Sequence, residues 1–140
     1  MIKRDEVFDE IYQAIVDRLD DEDVYGASVL SYISSYKFDE FPIIVLNQID
    51  YRLGGETLSK TEKKHSFTIE SQVFAIDKDG VDSRTIANFL SDLVEDVIQN
   101  DFGLRLDMSD VIPNVTENVY RVVQRFSGII DDDSKIIYRE

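Results

Sequence analysis

Cysteine is absent from the 140 residues. With it go disulfide bridges, thiolate zinc sites and a cysteine nucleophile, and the absence fits a reducing cytoplasm. Histidine is nearly absent too, since His65 stands alone. A Ser-His-Asp arrangement would depend on that one ring, among lysines that offer nothing to orient it. Long apolar runs are also missing. The run Pro42-Ile43-Ile44-Val45-Leu46 falls far short of the ~20 residues that span a bilayer. Met1-Ile2-Lys3-Arg4-Asp5-Glu6 is charged where a signal peptide needs an apolar stretch. Export by the signal-peptide route and membrane insertion are both unexpected. With two prolines, six glycines and no linker-like segment, residues 1–140 are expected to form one domain.

Apolar residues make up 43% of the chain, enough for a sizeable core. Against 29 acidic side chains stand 15 basic ones, a net charge of −14. Such a surface keeps a protein soluble and repels nucleic acid, whose affinity for proteins comes largely from Lys and Arg at phosphates. A surface that must sit beside DNA without holding it would be acidic in the same way.

The spacing of Val7, Phe8, Ile11, Tyr12, Ile15, Val16 and Leu19 predicts an amphipathic helix over 3–19. Acids crowd its first turns, where the helix dipole favours them, and Asp20-Asp21-Glu22-Asp23 is expected to end it. Strands are predicted over 28–36, 43–53 (opened by Pro42) and 66–76. In the last of these Phe67, Ile69 and Val73 share one face. Phe74 and Ile76 fall on the other, so a bulge or an additional contact is expected there. The intervening Gly54–His65 segment reads as a long protruding hairpin loop, mobile in an isolated subunit. Asp77 to Gly80 is a turn, and Asp82 or Ser83 caps a second helix over 83–100, with Ile86, Phe89, Leu90, Leu93, Val94, Val97 and Ile98 as its buried stripe. Gly103 suits a left-handed C-cap. Strands follow over 104–115, 119–130 and 135–138, and in the middle one Tyr120, Val122, Phe126 and Ile130 alternate with Arg121, Val123, Arg125 and Ser127. The sum is an α+β fold: two amphipathic helices on one face of a small, mainly antiparallel sheet, its other face left available.

Catalytic patterns are weak. Asp77, Asp79 and Asp82 resemble part of a calcium loop, but the glycine is misplaced and no glutamate follows at the required distance. Asp131, Asp132 and Asp133 read as a solvated turn before they read as a metal site. Gly54-Gly55 lacks the continuation of a phosphate loop. No catalytic, cofactor-binding or metal residue is assigned, and an enzyme is not expected. Two features stand out instead. One is the basic group Lys60, Lys63, Lys64 and His65. The other is the pair Arg121 and Arg125 on one strand face. Each has an ordinary reading, as a cover for a hairpin edge and as pairing with acids of neighbouring strands. Each also has a functional one, as contacts to an acidic protein surface, for which an identical subunit would serve.

The chain resembles the lambda-type tail terminator (tail completion) proteins of long-tailed bacteriophages. The resemblance is one of pattern over nearly all 140 residues: an N-terminal amphipathic helix, Phe41-Pro42-Ile43-Ile44-Val45 entering the sheet, a long hairpin to Ser66–Ile76 and a second helix over 83–100. It closes with Ile112-Pro113-Asn114, Val119-Tyr120-Arg121 and Ile136-Ile137-Tyr138-Arg139. The resemblance implies a homo-oligomeric ring, usually a hexamer, that caps the head-proximal end of the tail tube, ends its polymerisation and joins neck proteins. It implies assembly in the host bacterial cytoplasm, a place in the virion, and DNA passing through without specific binding. A related neck or head-completion protein would read almost the same way. A small metal-dependent enzyme and an acidic DNA-mimicking binding protein are the readings from other classes.

Overall fold

The computed structural model describes residues 3–22, 25–30, 42–53, 64–112, 119–131 and 137–138. Helix α1 spans Lys3–Glu22 and carries Val7, Ile11, Ile15 and Leu19 into the core at four-residue intervals. That interval keeps side chains one above another on a helix face. The acidic run expected to end α1 after Leu19 is helical as far as Glu22. Strand β1, Ser28–Leu30, runs parallel to β2, Ile43–Leu53. The remainder of the strand expected to Tyr36 lies outside the described residues. Strand β3 is Lys64–Ala75 and pairs antiparallel with β2.

After β3 the chain turns at Asp79 and Gly80, whose φ values of 53° and 81° are those of a two-residue hairpin turn. Lys78 and Val81 exchange backbone hydrogen bonds of 2.9 Å across it. Helix α2, Ser83–Asp96, is capped by Asp82, whose carboxylate accepts from the Thr85 N–H at 2.8 Å. The Asp77 carboxylate accepts from Ser83 N–H at the same distance. The helix then widens into a π-turn over Val97–Asp101, which keeps both Val97 and Ile98 buried. Gly103 closes it with φ 76°, donating to Gln99 O at 3.0 Å, while Leu104 N–H reaches Ile98 O at 3.2 Å. Strands β4 (Arg105–Ile112), β5 (Tyr120–Asp131) and β6 (Ile137–Tyr138) complete the sheet.

The sheet order is β1-β2-β3-β5-β4, with β6 on β5 beyond the stretch that β4 covers. Apart from β1 with β2, the pairings are antiparallel. Both helices lie on one face, so the expected α+β architecture is present. The main core joins α1 and α2 to Ile44, Leu46, Phe67, Ile69, Val73, Val122 and Phe126. Arg18 of α1 meets Asp96 of α2 at 2.9 Å and ties the helices together. That guanidinium, then the Asn100 amide, holds the Asp96 carboxyl below its usual range. No helix among the described residues is long and apolar enough to cross a membrane.

Two expectations need correction. Phe89 is not a core residue: it is 44% exposed and packs T-shaped against the Tyr25 ring, at 6.2 Å between centroids. The buried arc of α2 runs through Ile86, Ala87, Leu90, Ser91, Leu93 and Val94, turned away from Phe89 by the small Ala87 and Ser91. The second face of the sheet is also not wholly available. Ile43, Val45 and Phe74 form a small buried cluster there, with Ile76 and Val119 packed against it. This is the additional contact expected from Phe74 and Ile76, and β3 reaches it without a bulge. The bulges lie instead in β2, between Gln48 and Asp50, and in β4, between Leu106 and Met108.

Candidate functional site

The second sheet face is built by strand alternation. Because β3 and β5 pair antiparallel, Glu70 lies opposite Arg125, Gln72 opposite Val123 and Phe74 opposite Arg121. Alternate residues on both strands, including Ile69, Val73, Val122 and Phe126, point to the helices. Strand β4 adds Met108 beside Arg125 and Ile112 beside Arg121. The alternation read from β5 holds: its two arginines share one face with Val123.

These side chains form one connected chain of hydrogen bonds. Arg121 donates from Nε and Nη2 to the same Gln72 Oε1, at 3.1 and 2.6 Å. Its guanidinium lies over the Phe74 ring, 5.3 Å from the centroid, where the ring's negative face attracts a cation. Gln72 donates from Nε2 to Glu70 Oε1 at 2.8 Å. Glu70 accepts on its other oxygen from Arg125 Nε at 3.0 Å. The arginines therefore differ. Arg125 has a carboxylate partner of its own, the ordinary cross-strand pairing foreseen for it. Arg121 rests on a neutral amide and a ring, and no carboxylate among the described residues pairs with it.

The basic group is placed only in part. Lys64 and His65 belong to β3 rather than to the hairpin loop: Lys64 pairs with Asp131, and His65 lies between Leu53 and Ile130. Strand pairing with both β2 and β5 drew the boundary two residues earlier than polarity suggested. Lys60, Lys63 and the expected mobility of the 54–63 connection lie outside the described residues. Asp77 and Asp82 serve the start of α2, and the Thr85 hydrogen bonds lower the Asp82 carboxyl below its usual range. Asp132 and Asp133 lie outside the described residues. Among those described, no group of three His, Cys, Asp or Glu could hold a metal ion.

Sequence reasoning did not find a polar seam under α2. Ser71 and Gln124 are cross-strand partners on the helix-facing side, and Ser91 is buried on α2. The Gln124 amide donates weakly to Glu95 at 3.4 Å, while its Oε1 and both serine hydroxyls have no partner. Short polar residues inside otherwise apolar alternation were the available signal. No protein-family model matches the chain, and no curated protein matches it in sequence.

Proposed function

We propose that this chain is a structural, non-enzymatic protein of a phage tail that acts by assembling with copies of itself. In this reading a ring, six subunits in the related family, caps the head-proximal end of the tail tube. It ends tube polymerisation and presents a surface to the neck or head-completion proteins. DNA passes through, repelled by the acidic surface. The observation that carries the reading is the second sheet face: among the described residues no helix packs on it, yet it holds an ordered network beside a buried apolar patch. Arginines held in fixed positions beside an aromatic ring are common material of a protein interface. The sequence resemblance supplies the particular class.

The test is mass in solution, followed by genetics. Light scattering after size exclusion should give a ring several times heavier than the 16.2 kDa chain. A single-subunit mass at tens of micromolar, in the presence and absence of tube protein, would sink the reading. Replacing Lys60, Lys63 and Lys64 together by Glu should leave the subunit folded and block tail completion. Micrographs would then show unjoined heads and tails, or tubes of uncontrolled length. Normal virions would remove the basic loop from the docking surface.

A further inference from the structure

Within the self-assembly just proposed, on which this step rests, the two arginines of the sheet face are not equivalent. We infer that Arg121 binds a carboxylate on the outer stripe of α1 in a second copy of the chain, so that subunits join head to tail. Arg125 and Glu70 only brace it.

The geometry of Arg121 supports a waiting contact. Two of its donors are fixed on Gln72, and the ring of Phe74 lies beneath it. Gln72 is itself held by Glu70, and Glu70 by Arg125. The guanidinium is thus aimed before any partner arrives, which reduces the entropy lost on binding. Its remaining N–H groups have no partner among the described residues and are not buried. A planar fork with free donors is suited to a carboxylate.

The chain also supplies the acceptor. Along the solvent side of α1, Glu6, Asp9, Glu10, Gln13, Asp17 and Asp20 fall on one stripe, opposite Val7, Ile11, Ile15 and Leu19. Asp9 and Asp20 are exposed, with no hydrogen-bond or ion partner. Arg18, on the same helix, donates to Asp96 of α2 at 2.9 Å. Among the described residues, Arg121 without an acid thus lies on one side of the molecule, and Asp9 and Asp20 without a cation on the other. Because donor and acceptor sit on opposite layers, the contact cannot be self-complementary. Such contacts generate rings when the rotation closes. The competing acceptor is Asp110, exposed on the same sheet face as Arg121. It would favour a sheet-to-sheet dimer.

Charge swapping separates these outcomes. Arg121→Glu should weaken self-association about tenfold or more by sedimentation, since like charges would then face one another. Arg121→Gln should weaken it less, and Arg125→Gln should leave it nearly unchanged. Circular dichroism would establish that each variant is folded. Asp9→Lys with Asp20→Lys should also dissociate the oligomer, and combining them with Arg121→Glu in one chain should restore it. An unchanged Arg121→Glu oligomer overturns the inference while leaving the assembly reading intact. So does rescue by Asp110→Lys in place of the α1 changes. If Arg121→Glu does not fold, the intact chain carrying only the α1 changes decides: wild-type association overturns the inference. A monomeric wild-type protein overturns both proposals.

Discussion

The two faces of the sheet use the same strands for opposite ends. On the helix side, β5 contributes Val122 and Phe126 to a core closed by two amphipathic helices. One residue away on the same strand, Arg121 and Arg125 hold a hydrogen-bonded network that no helix among the described residues covers. The helix side gains its stability from apolar area removed from water, and the other side gains geometric order from directed polar contacts. What makes this domain fold and what makes it recognise a partner are separated by the two-residue period of a strand.

That separation can be broken most forcefully at Phe126. Phe126→Ala should cost about 3–5 kcal/mol, because the ring is fully buried and the cavity would lie between layers that cannot close on it. Its neighbour makes the contrast: Arg125→Ala should cost less than about 1 kcal/mol, since its guanidinium is half-exposed and Glu70 keeps the Gln72 amide. Denaturant unfolding of both variants would measure the difference, and equal losses would mean the network is part of the folding core. Within α2 the same contrast holds on a smaller scale. Leu93→Ala should cost about 2–4 kcal/mol and Phe89→Ala about 1 kcal/mol or less, read from melting curves.

The smallest effect concerns acid. The Asp96 carboxyl titrates below its usual value near 3.8, first because Arg18 donates to it. A lowered folded-state pKa means its stabilisation is full above the unfolded value and fades as pH falls through the folded one. Asp96→Asn should lower stability slightly near neutrality, where the carboxylate is ionised, and converge on the wild type below about pH 4, so that the acid side of its stability curve is flatter. An unaltered acid limb in that variant would show that the Arg18 link adds nothing to the helix layer.

Much of the fold was legible because period and punctuation are local. The strand over Ile43–Leu53, the Asp82 cap, the left-handed Gly103 and the two-face alternation of β5 each follow from residues within a few positions. Phe89 was misread because hydropathy weighs its ring and ignores Ala87 and Ser91, whose small size lets α2 approach the sheet on their side. The start of β3 was misread because Lys64 and His65 are polar, while pairing with β5 decides that they are strand. The parallel pairing of β1 and the π-turn after Asp96 left no pattern of their own.

At the candidate site, sequence placed Arg121 and Arg125 on one face but not their partners. Two arginines four apart on a strand look alike in sequence. Only the register of β3 puts Glu70 opposite Arg125 and Phe74 opposite Arg121, with Gln72 on the diagonal. The residue types, their alternation and the excess of acid are properties of the chain alone. Which cation is matched with an acid depends on strand register. That register is set by burying Phe67, Ile69, Val122 and Phe126 together beneath the helices, a constraint that acts only once the layers meet.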